Sequence, residues 1–191
     1  LNFSVPVNTW LAVLPLNTGR RFLTIQNVGG DSGACRVNEV EWLLVGSGRG
    51  AGCLAFSPSR NKIKPFGTPP DFSEVATFIQ IADTIEAGIP LDMSNHPKEW
   101  ARLLEYGSSM GGAKPKIVVS HEGKEWIAKL NRKTDSIDVV KIEFATRELA
   151  VSVGIIPPAM QLHDINGRSV LLIERFDRDA LGRRHYLSVH S

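Results

Sequence analysis

The sequence predicts an α+β fold: an antiparallel sheet built from two hairpins, one main helix between them, and a mixed region with two further helices in front. Three observations carry this. Two pairs of apolar runs are each joined by a short polar turn, at His121-Glu122-Gly123-Lys124 and at Asp164-Ile165-Asn166-Gly167, which is the signature of a hairpin. Between the hairpins, Val139, Ile142, Ala145, Leu149 and Val153 recur by threes and fours, as one face of a helix does. Ahead of both, Val75, Phe78, Ile79, Ala82 and Ile85 repeat the same spacing.

Taken in order, the first helix is announced by Asp71 and Glu74, a capping box in which each side chain reaches the other's backbone, and Gly88 ends it. Trp100, Leu103 and Leu104 mark a shorter second helix. Both stripes read as core packing. The hairpin strands are Ile117 to Ser120 with Glu125 to Leu130, and Ala159 to His163 with Ser169 to Glu174; His163-Asp164 reads as part of the second turn. The main helix spans Ser136 to Gly154, and Pro157-Pro158 beyond it prevents its continuation.

The chemistry is concentrated around the hairpins. Gly107-Ser108-Ser109-Met110-Gly111-Gly112-Ala113-Lys114-Pro115-Lys116 combines small residues, which let backbone approach a charged ligand, with lysines that supply positive charge. It reads as a phosphate-binding loop, although the decapeptide alone also fits a flexible surface loop. Lys129 shares a strand face with Ile127 and so points where Ile127 points, into a cleft or out to solvent at a strand edge. Glu143 follows fourteen residues later on the main helix. A strand lysine held by a helix glutamate is the protein-kinase arrangement, in which the lysine contacts nucleotide phosphates. A solvated helix carboxylate is the alternative for Glu143.

At Glu174-Arg175-Phe176-Asp177-Arg178 the pattern becomes specific. Together with Ser109 to Lys116, Trp126-Ile127-Ala128-Lys129, Glu143, Leu149-Ala150, Gly154, Pro157 and Gly182-Arg183-Arg184-His185, the chain resembles the HipA family of serine/threonine kinases, toxins of bacterial toxin-antitoxin pairs. The likeness is strong over 107–191. Upstream it rests on Leu14-Pro15, Gly19-Arg20-Arg21 and Gly52-Cys53-Leu54-Ala55-Phe56-Ser57-Pro58. The resemblance implies an N-terminal region over 1–106 and a kinase small lobe through its hinge over 107–191. The catalytic lobe, with its metal-binding aspartate, would lie beyond Ser191. Leu1 in place of an initiator methionine agrees with a fragment or a processed chain.

What the resemblance further implies is phosphoryl transfer from Mg-ATP to a protein hydroxyl. Ser109, Met110, Gly111, Gly112 and Ala113 would cover the phosphates, Lys129 would bind them, and Glu143 would orient Lys129. Backbone groups of Glu174 and Phe176 would meet the adenine, with Asp177 near the ribose. Ser109 would be an autophosphorylation site. The expected partner is a HipB-like helix-turn-helix antitoxin, through which alone DNA is contacted, and the expected substrate class includes aminoacyl-tRNA synthetases. No catalytic residue and no metal ligand falls within the chain on this reading. A rival from another class is a non-catalytic HipA-derived module that contacts an antitoxin. A dinucleotide-binding fold is disfavoured, because there the glycine loop lies between strand and helix.

Composition sets wider bounds. With 22 basic and 20 acidic residues the net charge is +2, too small for charge alone to imply nucleic-acid binding. Cys35 and Cys53 have no metal-ligand spacing and make no disulfide framework. No apolar run reaches the roughly 18 residues of a membrane span, and the start is not that of a signal peptide, so a cytoplasmic protein is expected.

Overall fold

In the computed structural model the described residues are 50, 52, 67–87, 89, 102–103, 106–107, 114–179 and 182–186. The loop residues Ser109 to Ala113, the upstream motif residues other than Gly52, and Gly88, Trp100 and Leu104 lie outside them. The order of elements is a 3₁₀ turn (Phe72–Glu74), α1 (Val75–Glu86), β1 (Lys116–His121), β2 (Lys124–Leu130), α2 (Val139–Ser152), β3 (Met160–Ile165), β4 (Arg168–Glu174) and a small hairpin of β5 (Arg178–Asp179) and β6 (Gly182–Arg183). Strands β1 to β4 form one antiparallel sheet in the order β1-β2-β4-β3. The fold is α+β, as the hairpins and helical spacings predict.

Both hairpin turns are two residues long. Glu122 and Gly123 have φ of 51° and 74°, and Asn166 and Gly167 have φ of 54° and 77°, the left-handed pair whose twist matches that of the flanking strands. His163 and Asp164 therefore belong to β3 and not to the turn; Asp164 reaches forward to accept the Gly167 N–H at 2.9 Å.

The start of α1 is built as its sequence indicates. Asp71 accepts the Ser73 N–H at 3.0 Å, and the Glu74 carboxylate accepts the Asp71 N–H at 2.8 Å, closing the capping box. The predicted face of α1, with Ile81 added, is buried. Apart from Ala82, it forms one hydrophobic cluster with Leu103, Tyr106, Ile117, Val118, Val119, Trp126, Ala128, Leu130, Val170 and Leu172. Helix α1 precedes residue 107, where the second region is expected to begin, yet it shares its core with the strands that follow. Arg168 on β4 straps the two together, donating to Asp83 of α1 at 2.7 Å and to the Asn131 carbonyl.

Helix α2 is shorter than the predicted 136–154, and its apolar stripe is largely exposed. Asp138, not Ser136, is its N-cap. Of the apolar stripe that the spacing picks out, Ile142, Leu149 and Val153 are 51%, 68% and 74% exposed, while Val140 is buried and Glu143, Phe144 and Arg147 are half-buried. The reason is polar anchoring. Asp138 is bound to Ser169 of β4, the Val140 N–H to the Asn131 side chain, and Glu143 to Lys129. Those bonds set the helix's rotation, and they turn the apolar stripe outward. Gly154 at φ 84° ends the helix in the left-handed conformation that glycine tolerates.

Candidate functional site

Side chains alternate across a sheet, so the register divides β1, β2 and β4 into two faces. Ile117, Val119, Trp126, Ala128 and Leu172 lie on the face that α1 covers. Lys116, Ile127, Lys129 and Leu171 share the opposite face, next to α2. Lys129 thus points where Ile127 points, and what it meets there is α2. Its Nζ lies 2.5 Å from Oε1 of Glu143, with the two side chains 28% and 36% exposed. Two residues fourteen apart in sequence are joined because α2 crosses the sheet at a height set by Asp138.

Asp138 is the residue that sequence reasoning passed over. Its Oδ1 accepts the Lys141 N–H at 3.0 Å and the Asn131 amide at 2.6 Å, and its Oδ2 accepts the Ser169 hydroxyl at 2.6 Å. Burial opposes its ionisation, but the bonds from Ser169, the Lys141 N–H and Asn131 outweigh it and hold the carboxyl at about 2. An aspartate directly before a helix after a small polar run is a recognisable cap; its second bond, to a strand 31 residues away, is not.

The two lysines of the glycine loop separate in space. Lys114 pairs with Asp135 at 2.5 Å and so fastens the end of the loop to the segment before α2. Lys116 stands directly opposite Lys129 in the β1–β2 register, on the same face. Burial and the charge of Lys129 both push the Lys116 ammonium below its ordinary value, against the pull of Glu143. Two neighbouring ammonium groups beside one carboxylate make this face cationic, which suits an anion.

The strand that ends at Glu174 forms the other end of the site. Glu174 lies opposite Trp126 and three residues from Leu171, the partner of Lys129, a distance of about 10 Å along the strand. Its carboxylate accepts from Lys124 at 2.7 Å, and its N–H donates to the Ala159 carbonyl at 2.9 Å. Phe176 is 56% exposed, with its ring on Tyr186. Asp177, by contrast, is 4% exposed and turned into a cluster with Arg175 and Arg178. Lys129, Glu143 and Lys116 are therefore gathered on one face, Glu174 and Phe176 stand at its end, and Asp177 lies behind.

Residues 108–191 match the family described as the HipA-like C-terminal domain. This part of the chain is similar to that family. In the solved complex of HipA, HipB and operator DNA from the Shewanella oneidensis MR-1 toxin antitoxin system, one chain superposes on 91% of the present one with a TM-score of 0.52 and 23% identity. The match spans 39% of that solved chain, and at this identity the likeness is one of fold. No curated protein matches the sequence. Among its described residues the chain has no group of three or more His, Cys, Asp or Glu placed to hold a metal ion, and no helix long and apolar enough to cross a membrane.

Proposed function

We propose that this HipA-like chain is the nucleotide-binding small lobe, with its N-terminal region, of a cytoplasmic serine/threonine protein kinase of the toxin-antitoxin kind. The observation that carries the reading is the 2.5 Å pair between Lys129 on a central strand and Glu143 on the helix crossing it. In kinases that pair presents an ammonium group to the nucleotide phosphates. The carboxylate prevents the lysine from folding back onto the sheet, and so keeps the charge where the phosphates would arrive.

On this reading Ser109 to Ala113 cover the phosphates, and Lys116 adds positive charge behind them. With the Glu174 N–H given to Ala159, its carbonyl and the backbone of Phe176 are the groups offered to an adenine. Magnesium would neutralise phosphate charge when bound. A HipB-like antitoxin is the proposed partner, with operator DNA reached through it, and a protein hydroxyl, including that of an aminoacyl-tRNA synthetase, the proposed acceptor.

The test is Lys129→Ala in the full-length protein. Phosphate transfer should fall by at least about a hundredfold, as expected when a charge aimed at the transferring group is removed, with the thermal transition unchanged. A folded Lys129→Ala protein of full activity would refute the assignment. A full-length wild-type protein that binds no ATP would favour the non-catalytic module.

A further inference from the structure

The Arg175-Phe176-Asp177-Arg178 segment is built around a buried carboxylate. Asp177 accepts from Arg175 twice, Nε to Oδ1 at 2.9 Å and Nη2 to Oδ2 at 2.7 Å. Its Oδ2 also accepts from Arg178 Nη1 at 2.9 Å and from the Gly52 N–H at 2.7 Å. The guanidinium groups of Arg175 and Arg178 continue to the Gly50 carbonyl at 3.0 and 2.8 Å, and Arg178 reaches the Gly52 carbonyl at 3.1 Å. Glu125 lies 3.5 and 3.6 Å from the same two arginines, so two cations face two anions. The Arg175 and Asp177 side chains are 1% and 6% exposed.

Two parts of the chain some 125 residues apart are joined here by charge-assisted bonds, the Gly52 N–H on the Asp177 carboxylate and the two guanidinium groups on the Gly50 and Gly52 carbonyls. Gly52 has φ of 70°, which an L side chain adopts only with strain, and this conformation aims its N–H at the carboxylate. The Asp177 carbonyl in turn accepts the Arg184 N–H at 3.0 Å, so the strand returning from β6 is tied to the same residue. Arg175 and Asp177 point inward, while Phe176 between them faces out. The exposed backbone at Phe176 is thus held from behind on both sides.

We infer that Asp177 is a positioning residue for the base-binding backbone of Glu174 and Phe176, acting through Arg175, Arg178, Gly50 and Gly52 and not by touching the ribose. This rests on the proposed nucleotide site. It makes Gly50 and Gly52 a structural part of the site, because they supply one side of the clasp.

The test measures binding of three probes, ATP, 2′,3′-dideoxy-ATP and inorganic tripolyphosphate, to the full-length protein and its Asp177→Asn form, with thermal melting as a control. Asparagine keeps the shape but leaves two arginines facing one anion. The expected result is a loss of about tenfold for ATP and an equal loss for dideoxy-ATP, since misplacing a contact surface by a fraction of an ångström has effects of that order. Tripolyphosphate, which needs only the lysine end, should bind unchanged. Unaltered ATP affinity would overturn the inference. So would a loss for ATP that disappears with dideoxy-ATP, which is a direct ribose contact, or an equal loss for tripolyphosphate, which is general unfolding. If Asp177→Asn has no thermal transition, Gly52→Ala carries the same test, because its strained φ disturbs the clasp from the opposite side. A wild-type protein that binds neither ATP nor tripolyphosphate refutes the nucleotide site itself, a result distinct from all of these.

Discussion

Removing Asp138 should both destabilise the fold and release the Lys129–Glu143 pair. In Asp138→Ala the α2 cap is lost, at about 1 kcal/mol, together with the charge-assisted bond from Ser169, at about 1.5–3 kcal/mol. The sum is about 3 kcal/mol. Asp138→Asn separates the two parts, since asparagine caps nearly as well but carries no charge. For the charge itself, the interval between an ordinary 3.8 and about 2 corresponds to about 2.5 kcal/mol. The side chain is 31% exposed, and solvent screening there reduces the expectation to about 1 kcal/mol. The sign follows from a folded value below the unfolded one: the contribution is complete above 3.8 and is lost as pH falls through about 2. Urea denaturation of wild-type and Asp138→Asn protein should therefore differ by about 1 kcal/mol at pH 7 and converge near pH 2. Equal stabilities at pH 7, or a difference that does not change on acidification, would refute the reasoning. In the full-length protein Asp138→Ala should also weaken ATP binding, because α2 is then free to carry Glu143 away from Lys129.

Two further perturbations act on the glycine loop. A Cβ added at Gly107 would lie 2.7 Å from the buried Phe78 ring, so Gly107→Ala should cost about 1–3 kcal/mol by overpacking, read as a lower urea midpoint; an unchanged midpoint would mean that the ring moves aside freely. Phosphorylation of Ser109 would place close to two negative charges in the proposed phosphate loop and should oppose ATP binding, with Ser109→Asp weaker than Ser109→Ala in the full-length protein; equal affinities, and no phosphate at residue 109 by mass spectrometry after incubation with ATP, would remove the switch.

Local patterns in the sequence are sufficient wherever a few neighbouring residues decide the conformation. The capping box of Asp71 and Glu74, the Glu122-Gly123 and Asn166-Gly167 turns, and the buried face of α1 are all of this kind, because each depends on backbone geometry or on one solvent-averse stripe. The pairing of Lys129 with Glu143 was legible too, from spacing and from the motifs around it. Helix α2 starts later than its spacing suggests, and its facing was not legible, since three polar anchors, to Asn131, Lys129 and Ser169, outweigh a stripe of modest hydrophobicity. The same limit applies to Lys114 and Lys116, two residues apart in one loop: register places Lys116 beside Lys129, whereas Lys114 is drawn to Asp135. Asp177 is the clearest case. Its motif is plain in the chain, but whether a carboxylate faces ligand or core depends on which cations surround it, and one of its four bonds comes from Gly52, a residue that only tertiary folding brings within 2.7 Å.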